Sequence, residues 1–167
     1  AYFYWRMLDL YGRVKIVTTP GGDAPQSTRA ELYAFVESEL LAALGTTEIS
    51  ANTTFSDAGL PASSSVYRVN RYAALGFLTK LYLNHGVYLG TESAATYTKA
   101  AQAAKIIMDS NAYQLCGAGC SVSNLAKRPA VATDPDNLEG YAAVFAPNND
   151  NNVEHIFSVN YDEATAG

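Results

Sequence analysis

The chain has 167 residues, of which 49% are hydrophobic and 16% are charged, and its formal net charge is −5. This length and apolar content suit a globular domain with a core and exclude wholesale disorder. The acidic balance, without any cluster of Lys and Arg, argues against nucleic acid as a partner and against a basic membrane-binding surface. No apolar run approaches the roughly 18 residues of a membrane span.

The first predicted helix is "AYFYWRMLDLYG", which ends at Gly12, a residue suited to a left-handed helix cap. Its four consecutive aromatic residues point in directions about 100° apart, so they cannot form one flat platform. We therefore expect them to pack in a core against helices of a longer protein, with sugar stacking by Trp5 as the alternative. We also predict that the isolated chain oligomerises through an apolar helix face. That face comprises Tyr2, Phe3, Trp5 and Leu8.

The second predicted helix begins at Thr28, which forms a capping box with Glu31, and it ends at Gly45. An extended segment rich in β-branched residues precedes it, and a polar loop over residues 46–65 follows it. A single apolar stripe predicts that this helix packs on one side only. The stripe consists of Leu32, Phe35, Val36, Leu40, Ala43 and Leu44.

The third helix is predicted over residues 70–84 with Asn70 as its cap, and the fourth over residues 93–110. The third is apolar around most of its circumference, which indicates burial between neighbours. A loop of about eight residues joins the two, so we expect an antiparallel hairpin. The spacing of Tyr, Leu and small residues is similar to that of a tetratricopeptide hairpin, although no regular repeat of about 34 residues is present.

The C-terminal part reads as a short helical turn, an Asn-rich turn and a strand over residues 153–159, in which apolar and polar residues alternate. The predicted fold class is therefore mainly α, built from tetratricopeptide-like helical hairpins with a few short strands. We predict a single α-helical domain over residues 1–167.

The two cysteines, Cys116 and Cys120, are separated by Gly-Ala-Gly. This flexible spacer favours a small-loop disulfide, which would indicate an oxidising compartment. Free thiols remain an alternative, and zinc is disfavoured because the two histidines are distant in sequence.

Residues that could carry out catalysis are scarce. His85 lies at a predicted helix end, where capping is the favoured role, and His155 is expected to be a packed or edge residue. Residues 134–140 are only superficially similar to a calcium loop, because Glu139 stands where such loops need Gly. The Asn-rich turn at residues 146–152 needs no ion, and Glu37 is assigned with Glu39 to a solvated face. We predict no enzymatic activity, no metal and no cofactor.

Five segments together resemble the SusD-like (RagB/SusD) family. The first two are "AYFYWRMLDLYGRVKIVTT", which has Lys15 where the family commonly has Pro, and "RAELYAFVESELLAAL". The others are "YRVNRYAALGFLTKLYLNHGVY", "YTKAAQAAKIIMDSNAYQL" and "FAPNNDNNVEHIFSVNYD". Their order and spacing match the family over about three-quarters of the chain, whereas residues 116–137 have no counterpart.

The resemblance implies that the chain is an internal part of a longer surface-exposed lipoprotein of the outer membrane of a Bacteroidetes-type bacterium. Such proteins serve polysaccharide utilisation and nutrient uptake: they bind glycans or other nutrients and deliver them to a TonB-dependent (SusC-like) transporter without catalysis. Contact with the membrane would be made only through a lipid anchor that is absent from this chain. The resemblance places candidate ligand-binding residues at Asn160, Tyr161 and Asp162.

Two other function classes remain open at this point. A helical-repeat scaffold would bind a protein partner with a concave face lined by Tyr. A piece of a helical-barrel glycosidase would need two carboxylates about 5 to 9.5 Å apart in one cleft.

Overall fold

The computed structural model describes residues 1–63, 66–116, 144–145 and 152–159. These residues are mainly α-helical, which confirms the predicted fold class. They form α1 (Tyr2–Tyr11), α2 (Arg29–Leu44), α3 (Arg71–Leu83), α4 (His85–Leu89) and α5 (Ala94–Asp109). The backbone divides into two compact units, residues 1–63 with 70–109 and residues 64–69 with 110–167.

The helix boundaries lie where the capping residues predict them. The Thr28 hydroxyl accepts a hydrogen bond from the Glu31 backbone N–H at 3.2 Å, and the Glu31 carboxylate accepts one from the Thr28 N–H at 2.7 Å, so the capping box of α2 is confirmed. Gly45 ends α2 and Gly12 ends α1, with φ of 70° and 72°. Only glycine adopts such positive φ values without steric cost.

In the first unit α3 is the central helix. It packs most extensively against α5 and also against α2, which in turn contacts α1. The prediction that α3 is buried between neighbours is therefore confirmed. Its buried side chains are Ala73, Ala74, Leu75, Leu78, Leu81 and Tyr82.

The predicted hairpin of α3 and α5 is confirmed, and its contacts run in antiparallel order. His85, just after α3, contacts Ser93 and Tyr97, whereas Tyr82, one turn earlier, lies beneath the Lys99 ammonium group. The predicted loop between them contains the short helix α4, which sequence analysis did not predict. Gly90, with φ of 74°, ends α4.

The predicted strands are wrong for the described residues. Their one β-bridge is an isolated antiparallel pair between Lys15 and Gln26. In the second unit, residues 153–159 contain no strand, because the His155 N–H turns back to bond the Asn152 carbonyl at 3.1 Å. Alternating hydrophobicity alone does not form a strand without a continuous partner.

Two further expectations about packing need correction. In α2, Ala43 is exposed and Tyr33 is buried, so the contact surface includes a position outside the predicted stripe. In α1, Trp5 and Leu8 are buried within this chain, so neither is available to the predicted oligomer face. Among the described residues, no helix combines the length and apolarity needed to cross a lipid bilayer.

Candidate functional site

Helices α1 and α3 bring together a group of aromatic rings and two cationic side chains around the indole of Trp5. The Tyr2 ring lies 5.1 Å from the Phe77 ring and 6.2 Å from the Trp5 ring, and the Trp5 and Phe77 rings are 5.5 Å apart. We call this group the aromatic–cation surface. It consists of Tyr2, Phe3, Trp5, Arg6, Phe77 and Lys80.

Helical periodicity places these residues side by side. Tyr2 is followed by Arg6 four residues later, and Phe77 by Lys80 three residues later, so each pair lies on one helix face. Gly76 and Ala73 leave little side-chain bulk on the neighbouring turn of α3. The local sequence therefore sets the two halves of the surface, and packing between helices joins them.

The members of the surface differ in exposure. The Trp5 side chain is only 8% exposed and forms the floor, whereas Phe3 is 77% exposed. Tyr2 and Phe77 are half-buried. Trp5 is thus packed against rings of this same chain, and Phe3 is the most exposed aromatic side chain of the surface.

Both cations lie close to the Trp5 ring. The Arg6 guanidinium carbon is 5.9 Å from the ring centroid and the Lys80 Nζ is 5.8 Å from it, within the range of cation–π attraction. Both side chains are exposed, and neither forms an ion pair within the described residues. Their charges are therefore available to a ligand.

The first unit also contains three buried tyrosines, Tyr33, Tyr82 and Tyr88. Desolvation raises the pKa of Tyr33 and of Tyr82, with the charge of Glu37 adding to the effect, and desolvation raises the pKa of Tyr88 to about 12. The Tyr88 hydroxyl donates to the Asp9 carboxylate at 3.0 Å. These phenols stay protonated at neutral pH, so they are core residues rather than bases or nucleophiles.

His85 has a structural role that extends the predicted one. Its Nε2 accepts a hydrogen bond from the Ser93 N–H at 2.7 Å, so Nδ1 carries the proton and donates to the Tyr82 carbonyl, also at 2.7 Å. The predicted capping of α3 is confirmed, and the ring also connects α3 to the start of α5. With both nitrogens engaged and 2% exposure, this imidazole is not placed for acid–base chemistry.

The residues chosen from the sequence as ligand-binding, Asn160, Tyr161 and Asp162, lie outside the described residues, and so do both calcium candidates apart from Asn152. Cys116 is buried and disulfide-bonded, and its N–H donates to the Glu154 carboxylate; Cys120 lies outside the described residues. The described part of the chain contains no group of three or more His, Cys, Asp or Glu side chains able to hold a metal ion.

Comparisons of the chain with protein-family models, curated protein sequences and solved structures found no match. The geometry of the site is therefore the basis for any functional argument. Arg6, Phe77 and Lys80 were not predicted from the sequence as site residues. The spacing of Lys80 from Phe77 was the available signal, but nothing local relates residues 77–80 to residues 2–6.

Proposed function

We propose that this chain belongs to a SusD-like protein that binds glycans or related nutrients at the bacterial surface and passes them to a TonB-dependent transporter. The order of the five similar segments supports this proposal, as does the antiparallel helical hairpin in which two of them lie. The aromatic–cation surface is the observation that carries the binding role.

Sugar rings present an apolar C–H face and a rim of hydroxyl groups. Binding them calls for accessible aromatic faces beside a few polar groups. The aromatic–cation surface offers both. The exposed Phe3 side chain packs beside the half-buried ring of Tyr2, which in turn contacts Phe77. Arg6 and Lys80 supply hydrogen-bond donors near the Trp5 ring. Because these rings are carried by helices rather than by a loop, little conformational entropy is lost on binding.

A binding role without catalysis fits the polar groups of the first unit. The His85 imidazole has both nitrogens engaged, and the buried phenols stay protonated. Glu37 lies 3.8 Å from the Lys99 ammonium group, and Glu39 is exposed on the same helix. Glu37 is therefore engaged by a cation, as in a structural ion pair.

A glycan array probed with the 167-residue chain and with Tyr2→Ala tests the proposal. We expect binding by the parent chain and a clear loss in the variant, since the variant lacks one ring of the aromatic–cation surface. Tyr11→Ala is the matched control, because Tyr11 is a 70% exposed tyrosine on the same helix, beyond the aromatic–cation surface. Equal loss in both variants, or no binding of any glycan, would contradict the proposal.

The alternative function, a scaffold for a protein partner, is favoured by a different observation. Leu10 and Tyr11 are 62% and 70% exposed on α1, and exposed apolar side chains are typical of protein–protein interfaces. Under this alternative, Tyr11→Ala rather than Tyr2→Ala impairs binding of the protein partner. The same pair of variants therefore separates the two functions.

A further inference from the structure

We infer that the aromatic–cation surface selects anionic saccharides, those that carry carboxylate or sulfate groups, over neutral ones. This inference rests on the proposed function, since it names the class of sugar that the proposed site binds. It depends on the sign, position and accessibility of the charges around the Trp5 ring.

The charge of the surface is opposite to that of the chain as a whole. The sequence carries a net charge of −5, yet the two charged residues of the aromatic–cation surface are both cations. Asp9, one turn beyond Arg6 on α1, already accepts the hydrogen bond of the Tyr88 hydroxyl. The positive charges of this surface attract anions, whereas the acidic remainder of the chain repels them.

The two cations also lie where an acidic sugar would need them. Both are within 6 Å of the Trp5 centroid, and the Tyr2 and Phe77 rings pack around the same indole. A sugar stacked on these rings carries its carboxylate or sulfate at the rim, next to one of the cations. The Arg6 guanidinium can bind such a group with two parallel hydrogen bonds, whereas Lys80 acts as a point charge.

Trp5 provides a direct measurement, because it is the one tryptophan of the chain and forms the floor of the surface. We would follow its fluorescence while titrating the 167-residue chain with trigalacturonate and with the fully methyl-esterified trisaccharide. A second matched pair is a chondroitin sulfate tetrasaccharide and its desulfated form. We expect the more highly charged member of at least one pair to bind about tenfold more tightly, and its affinity to fall as salt is added.

Charge-removing variants assign the effect to the site. Arg6→Gln and Lys80→Gln should each weaken binding of the preferred acidic sugar by about tenfold. Binding of the neutral member of that pair should fall much less, because Gln keeps a hydrogen-bond donor at each position and only the charge is lost. Lys105→Gln is the matched control, because it removes one exposed positive charge from α5, where Lys105 pairs with Asp109. Far-UV circular dichroism establishes that each variant keeps its helices.

The outcomes separate this inference from the proposed function. If both members of each pair bind equally and Tyr2→Ala weakens them, the surface binds sugars but the inference about charge is wrong. If acidic sugars are preferred but Lys105→Gln weakens them as much as Lys80→Gln does, the selectivity arises elsewhere and the inference is also overturned. If neither pair binds and the glycan array is blank, both ideas fail.

Discussion

Replacement of His85 by phenylalanine tests whether a buried histidine holds the α3–α5 hairpin together. Phenylalanine keeps a ring of similar size against Tyr97, whose ring centroid is 4.8 Å from that of His85. It removes two hydrogen bonds: the one that Nδ1–H donates to the Tyr82 carbonyl and the one that Nε2 accepts from the Ser93 N–H. The variant therefore separates hydrogen bonding from packing.

The expected loss follows from those two hydrogen bonds. Each contributes about 0.5–1.5 kcal/mol net, and a donor left unpaired adds a desolvation cost of about 1–3 kcal/mol. Ser93 is half-buried, so its N–H retains some access to water and the cost lies at the low end of that range. We expect His85→Phe to reduce the free energy of unfolding by about 2–3 kcal/mol. His85→Ala, which also leaves a cavity, should cost about 3–5 kcal/mol.

Urea denaturation followed by far-UV circular dichroism measures these differences at neutral pH. The matched control is His155→Phe in the second unit. The His155 ring is only half-buried, and the hydrogen bond described for this residue is made by its backbone N–H. If His85→Phe and His155→Phe both stay within about 0.5 kcal/mol of the parent, a range typical of surface substitutions, His85 does not connect the two helices as described.

Three further perturbations test other parts of the first unit. Gly59→Ala should lower the free energy of unfolding, measured by urea denaturation, by about 1–3 kcal/mol, because the new Cβ would clash with the Leu44 carbonyl oxygen. Gly76→Ala, which has open space at that position of α3, should raise it by about 0.5–1 kcal/mol. Equal effects of the two substitutions would contradict this explanation. Asn70→Ala should cost about 1 kcal/mol, since its side chain accepts the Ala73 N–H at 2.9 Å, and an unchanged midpoint would exclude this capping role. Stability should fall as pH rises above 10, because the phenol of Tyr88 ionises near pH 10 in the unfolded chain but has a pKa of about 12 in the fold. The contribution of Tyr88 to the free energy of unfolding is fully present below pH 10, and about 2–3 kcal/mol of it is lost by pH 12. The stability of Tyr88→Phe should fall less over this range. An identical pH profile for the variant and the parent would refute the assignment to Tyr88.

Helix ends were predictable from the sequence because they depend on local chemistry. Thr28 and Glu31 lie three residues apart and satisfy each other's backbone donors, and Gly45 adopts a conformation that is costly for other residues. Such interactions involve one turn of chain. The mainly α fold class followed from the same local signals, together with the apolar periodicity of α3.

Short elements and strands were not predictable in this way. Helix α4 spans five residues, which is too short for a periodic pattern to stand out. The alternation of apolar and polar residues at 153–159 is typical of a strand. Strand formation, however, depends on a neighbouring strand that a local pattern does not specify.

The sequence by itself determined where the main helices begin and end, because capping and periodicity are properties of neighbouring residues. Only the tertiary structure decided which side chains meet. It placed Trp5 in the floor of a surface rather than on its outside. It also brought Arg6 and Lys80, which are more than seventy residues apart in the chain, close to the same indole ring. The physical reason is that burial of apolar side chains where α1 packs on α2 and α2 packs on α3 sets the positions of these helices, and no local pattern encodes those positions.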